Sequence, residues 1–107
     1  MSKQILDEAK KIAEKVAFSY KPKKIILFGS VARGQANNQS DIDLLIIADS
    51  KETRPFRVKR IFEAVRGISR NFPLDPIVYS PEELDKRLLI GDPFVTKAVM
   101  QGTVLYG

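Results

Sequence analysis

The 107-residue sequence contains no cysteine, no histidine and no tryptophan. Without cysteine the chain cannot form a disulfide or use a thiol nucleophile, and without histidine it has no imidazole for acid/base catalysis. A zinc site of the usual kind depends on these same two side chains. Any metal ion that the protein binds is therefore held by oxygen ligands, which favours magnesium, manganese or calcium.

Long apolar runs are also absent. No segment approaches the roughly 18 consecutive apolar residues of a membrane span, and the N-terminal MSKQILDEAKK lacks the apolar core of a signal peptide. We therefore expect a cytoplasmic protein that does not contact a membrane and that folds as a single domain over residues 1–107. Its net charge of +5 suits a polyanionic ligand such as a nucleoside triphosphate or RNA. Lysine-rich helix faces serve solubility equally well.

Hydrophobic periodicity predicts helices and strands in alternation, and hence an α/β fold. Apolar residues at helical spacing predict an amphipathic helix over residues 3–19 and another from about Pro55 to Ile68. The short apolar runs KIILF, DIDLLIIA and LDPIVYS predict three buried strands, because each is bounded by polar turn residues.

The C-terminal third carries clear helix boundaries. Ser80 and Glu83 match a capping box, so a helix should begin at Pro81 and run to about Leu89. A last helix should start at DP, residues 92–93, and stop at Gly102. The final TVLY predicts a short edge strand.

The segment ILFGSVARGQANNQSDIDLLII joins the first two predicted strands through a polar loop. Gly29 and Ser30 follow the first strand directly, and Ser30 is positioned to cap a helix that begins at the next residue. Amide groups at a helix start bind phosphate, and a glycine permits close approach. Asp41 and Asp43 stand two residues apart, so on a strand they point to one face. Taken singly, each pattern also fits a plain tight turn.

In combination these patterns resemble the signature of the nucleotidyltransferase superfamily related to DNA polymerase β, and in particular the minimal nucleotidyltransferases. Gly29-Ser30, ten intervening residues and Asp41-x-Asp43 match that signature, with Arg33-Gly34 inside the loop. The resemblance covers nearly the whole chain: an N-terminal helix, GSVARG, SDIDLLI, a further helix, a strand bearing an aspartate, SPEEL and VMQGTVLYG. It implies a small mixed sheet of three to four strands, with helices packed mainly on one face.

The same resemblance implies a two-magnesium mechanism, in which manganese could substitute. Asp41 and Asp43 would bind both metal ions. Gly29 and Ser30 would hold the β or γ phosphate. Arg33 would either pair with phosphate or remain a solvated loop side chain, and the sequence leaves both roles open.

The third metal-binding carboxylate implied by the resemblance is Asp75, the only acid in the third predicted strand. Pro76 follows it, whereas members of the family usually continue with a β-branched or aliphatic residue. Because proline offers no ladder N–H, we expect Asp75 at the beginning of an edge strand. In the alternative, Asp75 only opens a turn, and the site keeps two carboxylates.

The resemblance further implies a substrate and a partner. The substrate would be ATP or another nucleoside triphosphate, and an AMP group would pass to a hydroxyl acceptor. Minimal members act beside an all-helical HEPN partner, and some are antitoxins that adenylylate a tyrosine of that partner, an RNase toxin. We expect this function here, without direct nucleic-acid binding. Two alternatives stay open: a non-catalytic antitoxin that blocks its partner by binding, and a subunit that modifies a small molecule such as an antibiotic.

Overall fold

A computed structural model describes residues 2–35 and 40–107 of the chain. The elements along the chain are α1 (Ser2–Tyr20), β1 (Lys24–Phe28), α2 (Gly29–Ala32), β2 (Ile42–Ile47), α3 (Arg54–Ala64), β3 (Leu74–Tyr79), α4 (Pro81–Leu89), α5 (Pro93–Gln101) and β4 (Thr103–Tyr106). The helices and strands predicted from periodicity are confirmed, with small shifts at their ends. The largest shift is in α3, which stops before a turn at Gly67, where φ is 91°.

The four strands form one mixed sheet in the order β3-β2-β1-β4. β1 pairs antiparallel with both β2 and β4, and β2 pairs parallel with β3. The predicted small mixed sheet is therefore confirmed, and TVLY forms one of its edges. Pro76 lies in β3 at the opposite edge, where proline is tolerated because one side of the strand has no neighbour to bond.

Side-chain alternation along the strands divides the core into two apolar clusters on opposite faces of the sheet. The first cluster joins Ile42, Leu44 and Ile46 of β2 to the inward faces of α1 and α3. The second joins Leu45 and Ile47 of β2 to α4 and α5. The two longest helices thus share one face, as the resemblance implies, and the two shorter C-terminal helices add cover to the other.

Glu8 connects α1 to the chain just before β3. Its carboxylate, which is buried, accepts hydrogen bonds from the backbone N–H groups of Asn71 at 2.7 Å and Phe72 at 3.0 Å. Next along the chain, the carbonyl of Pro73 accepts a hydrogen bond of 2.8 Å from the N–H of Ile42. These contacts position the starts of β2 and β3, the two strands that carry predicted carboxylates.

Arg57 braces the opposite ends of the same two strands. Its buried guanidinium donates to the carbonyls of Glu52 at 2.8 Å and Ser50 at 3.2 Å, and it forms an ion pair with Glu83. Glu83 also accepts from the backbone N–H of Ser80 at 2.8 Å, which completes the predicted capping box of α4. This arginine therefore ties α3, β3 and α4 together away from the predicted site. None of the helices in the described part of the chain is long and apolar enough to cross a membrane.

Candidate active site

Two of the three predicted carboxylates lie side by side. The parallel pairing of β2 with β3 sets Asp43 opposite Asp75 in register. The next odd-numbered residues of the two strands, Leu45 and Ile77, pack in the apolar cluster beneath α4 and α5. Because alternate residues of a strand point to the same face, Asp43 and Asp75 lie on this face of the sheet too. Asp75 is the second residue of an edge strand, which confirms its predicted position.

Asp41 precedes β2 and is exposed. Its charge is among those that raise the pKa of Asp43, so the two carboxylates lie near each other. The structure therefore brings Asp43 and Asp75 into one pair, with Asp41 at the rim of that pair.

The electrostatics of Asp43 reflect this crowding. Its pKa rises from the ordinary 3.8 to about 6, chiefly because burial disfavours the charged carboxylate, and further because of the negative charges of Asp75 and Asp41. Arg33 acts in the opposite direction and partly offsets the rise. A cation bound here would relieve the repulsion between these carboxylates.

Gly29 makes the turn from β1 into α2 directly against Asp43. Its φ of 77° lies in the left-handed region, which favours glycine. A side chain at this position would overlap the Asp43 carboxylate. Glycine is therefore needed here for two reasons: the backbone conformation and the close approach to an acidic side chain.

Ser30 does not cap α2, and the prediction of that cap is wrong. The helix begins two residues earlier than predicted, at Gly29, with Phe28 at the N-cap position and no side-chain capping bond. Ser30 lies within the first turn, and its Oγ donates a hydrogen bond of 3.3 Å to Oγ of Ser40. This bond connects α2 to the residue that precedes Asp41, so Ser30 contacts the chain next to the carboxylates.

Arg33 ends α2 at the mouth of the site. It is exposed, its Nε donates a hydrogen bond of 3.3 Å to Oε1 of Gln35, and its charge acts on the carboxylate of Asp43. Residues 36–39, which stand between Gln35 and Ser40 in the sequence, lie outside the described residues.

A cavity of about 230 Å³ adjoins the carboxylate pair. Its lining combines the predicted site with a wall from α5: Phe28, Gly29, Arg33, Asp43, Asp75, Phe94, Lys97, Ala98 and Gln101. The apolar spacing of α5 predicts only a core helix, so the contribution of α5 to this cavity was not predicted from the sequence. The available signal was polar Lys97 and Gln101 at positions i+3 and i+7 from Phe94, on the same side of the helix.

The donor set fits magnesium or manganese, because the chain offers only oxygen ligands and two carboxylates stand together on adjacent strands. Among residues 2–35 and 40–107, no three acidic side chains are grouped closely enough to hold a metal ion together. The structure thus contains a carboxylate pair, with a third, exposed carboxylate, that of Asp41, beside it.

Comparison with known proteins covers almost the whole chain. A family model described as "Nucleotidyltransferase domain" matches residues 9–106. A "Putative protein adenylyltransferase" of Methanocaldococcus jannaschii is 30% identical over 102 residues, which are 95% of this chain and 91% of that protein. A second protein of the same organism and description is 67% identical over 27 residues, 25% of this chain and 27% of its own length.

A solved structure is also similar. It is described as that of "a putative nucleotidyltransferase from Sulfolobus solfataricus" and aligns with a TM-score of 0.61 and 31% identity. The alignment covers 79% of this chain and 75% of that chain. The sequence and structure comparisons thus agree with the resemblance found in the segment from Gly29 to Asp43.

Proposed function

Because the chain belongs to the nucleotidyltransferase domain family, we propose that it is a cytoplasmic enzyme that transfers AMP from ATP to a hydroxyl group of another protein. The observation that carries this proposal is the pair of Asp43 and Asp75 on adjacent strands, beside the Gly29 turn and at the wall of a cavity. The description of the Methanocaldococcus jannaschii relative as a protein adenylyltransferase supports a protein as the acceptor.

Asp41, Asp43 and Asp75 are proposed to hold two divalent ions, magnesium or manganese. Asp41 is exposed and its charge acts on Asp43, so its carboxylate is proposed to join the pair when a cation compensates the repulsion. When bound, the ions supply two effects: a lower pKa of the acceptor hydroxyl and neutralisation of the departing charge.

The N-terminal end of α2 is proposed to receive the phosphates. The Gly29 turn lets the backbone lie close to the carboxylates, Ser30 adds a hydroxyl and Arg33 adds a positive charge at the mouth. In the reaction the acceptor oxygen forms a bond to the α-phosphorus, and the bond to the bridging oxygen breaks. Pyrophosphate leaves with that electron pair, and the hydroxyl proton passes to water at the exposed edge near Asp75.

The preferred acceptor is a tyrosine of an all-helical HEPN-type RNase, which would make the chain an antitoxin. The test is to incubate the purified protein and its co-purified partner with magnesium and ATP labelled at the α-phosphate, and in parallel with ATP labelled at the γ-phosphate. Transfer of AMP labels the partner only from the first, and mass spectrometry then identifies the modified residue.

A matched pair of variants makes the test specific. Asp75→Asn keeps the shape of the side chain and removes its charge, so transfer should fall by about 100-fold or more. Asp85→Asn, in α4, removes a charge outside the cavity lining and should leave transfer unchanged. Inhibition of the partner without label would favour the non-catalytic antitoxin. Label on a small hydroxyl compound would favour the small-molecule transferase.

A further inference from the structure

The α5 side of the cavity has no role in the transfer proposed above. Phe94, Lys97 and Gln101 are spaced three and four residues apart, so they lie on one side of the helix, and all three line the cavity. The carboxylates of Asp43 and Asp75 line the same cavity, whose volume is about 230 Å³. This volume is below the roughly 300–1,000 Å³ of a pocket for a whole drug-sized ligand, so it suits one ring system better than a folded segment of a partner.

Phe94 combines a fixed position with an open surface. Its ring meets the largely buried ring of Phe28 edge to face, with centroids 5.2 Å apart and planes at 90°. Even so, 49% of Phe94 is exposed. A ring that is held by one neighbour and left half uncovered at a cavity wall can stack on a flat ligand without first losing much conformational freedom.

Lys97 adds a positive charge one helical turn beyond this ring. It is exposed and forms no ion pair with any residue in the described ranges. Arg33 contributes a second positive charge to the lining from α2. The cavity is thus apolar at Phe28 and Phe94, which suits a flat ring. Its two cationic side chains come from different elements and suit an anionic group on the same ligand.

We propose that the α5 wall is the nucleoside subsite of this enzyme: the base of the nucleoside triphosphate stacks on Phe94, and Lys97 contacts its phosphates. The inference rests on the proposed function and adds the residues that hold the base. Stacking accepts any base, since every base has a π face, so the subsite contributes affinity for the nucleoside more than discrimination between bases.

Inorganic triphosphate provides the decisive probe, because it carries the phosphates of ATP without the nucleoside. Calorimetry with magnesium compares ATP and triphosphate for the wild type, Phe94→Leu, Phe94→Trp and Lys97→Ala. Phe94→Leu keeps apolar contact with Phe28 and loses the aromatic face. Met100→Ala is the control, since Met100 also belongs to α5, is 78% exposed and does not line the cavity.

We expect Phe94→Leu to weaken ATP binding about 5- to 150-fold, the range for loss of one base–aromatic stack, and to leave the affinity for triphosphate unchanged. Phe94→Trp should restore ATP affinity, Lys97→Ala should weaken both ligands, and Met100→Ala should change neither. Equal effects of Phe94→Leu on both ligands, or none on either, would overturn the subsite. A wild type that binds neither ligand with magnesium would instead refute the proposed function.

Discussion

Replacement of Asp43 by asparagine should make the metal-free protein more stable, although it removes a proposed metal ligand. The pKa of the Asp43 carboxyl is about 6, which is about two pH units above its ordinary value of 3.8. At about 1.4 kcal/mol per unit the ionised side chain costs the fold up to about 3 kcal/mol. Solvent screening at this half-open position reduces the cost, so we expect Asp43→Asn to raise the free energy of unfolding by about 1–2 kcal/mol above pH 6.

The pH dependence follows from the direction of the shift. A raised pKa means that the folded chain binds the proton more tightly than the unfolded chain. Below pH 3.8 the Asp43 side chain is protonated in both the folded and the unfolded chain, so it does not destabilise the fold. The destabilisation grows as the pH rises and is complete above pH 6. The advantage of the asparagine variant should therefore be small in acid and full near neutrality.

Urea unfolding in EDTA, followed by circular dichroism because the chain lacks tryptophan, measures this difference at several pH values. Asp49→Asn is the control, since Asp49 is 70% exposed and pairs with Lys23 only at the surface; its effect should stay within about 0.5 kcal/mol. Added magnesium should stabilise the wild type and not Asp43→Asn. An asparagine variant that is less stable than the wild type near neutrality would refute the electrostatic reasoning.

Variants at four further positions test the site and the contacts that support the fold around it. Gly29→Ala should abolish transfer, because the added methyl group overlaps Asp43. Gly34→Ala is the control, since Gly34 has a similar φ of 72° but nothing near its Cβ position. This control should lower the free energy of unfolding by only about 1–2 kcal/mol and should retain activity. Glu8→Ala should lower the free energy of unfolding by about 2–3 kcal/mol, and Glu8→Gln by about 1, in urea titrations. Beside its arginine partner the pKa of Glu83 falls from 4.5 to about 2, so its contribution to the free energy of unfolding is lost as the pH drops through that range. In urea titrations at several acidic pH values, Glu83→Gln should show a weaker dependence of stability on pH than the wild type.

Local features were readable from the sequence alone. The strands beginning at Lys24 and Leu74 and the α4 helix with its capping box depend on apolar spacing and on contacts within a few residues, so periodicity and cap chemistry were sufficient. The motif from Gly29 to Asp43 was equally visible, since a short spacing and a characteristic glycine define it. For the same reason the family could be recognised before any geometry was known.

Only the tertiary structure decided which groups share the site. The pairing of Asp43 with Asp75 joins positions 32 residues apart through a parallel register that no local pattern encodes. The Ser30 hydroxyl bonds to Ser40 rather than capping its helix, and Phe94 reaches the cavity because α5 packs across β1. Each of these contacts forms only when elements far apart in the sequence bury their apolar faces against each other. The packing of the whole chain therefore determines them, and no short sequence pattern does.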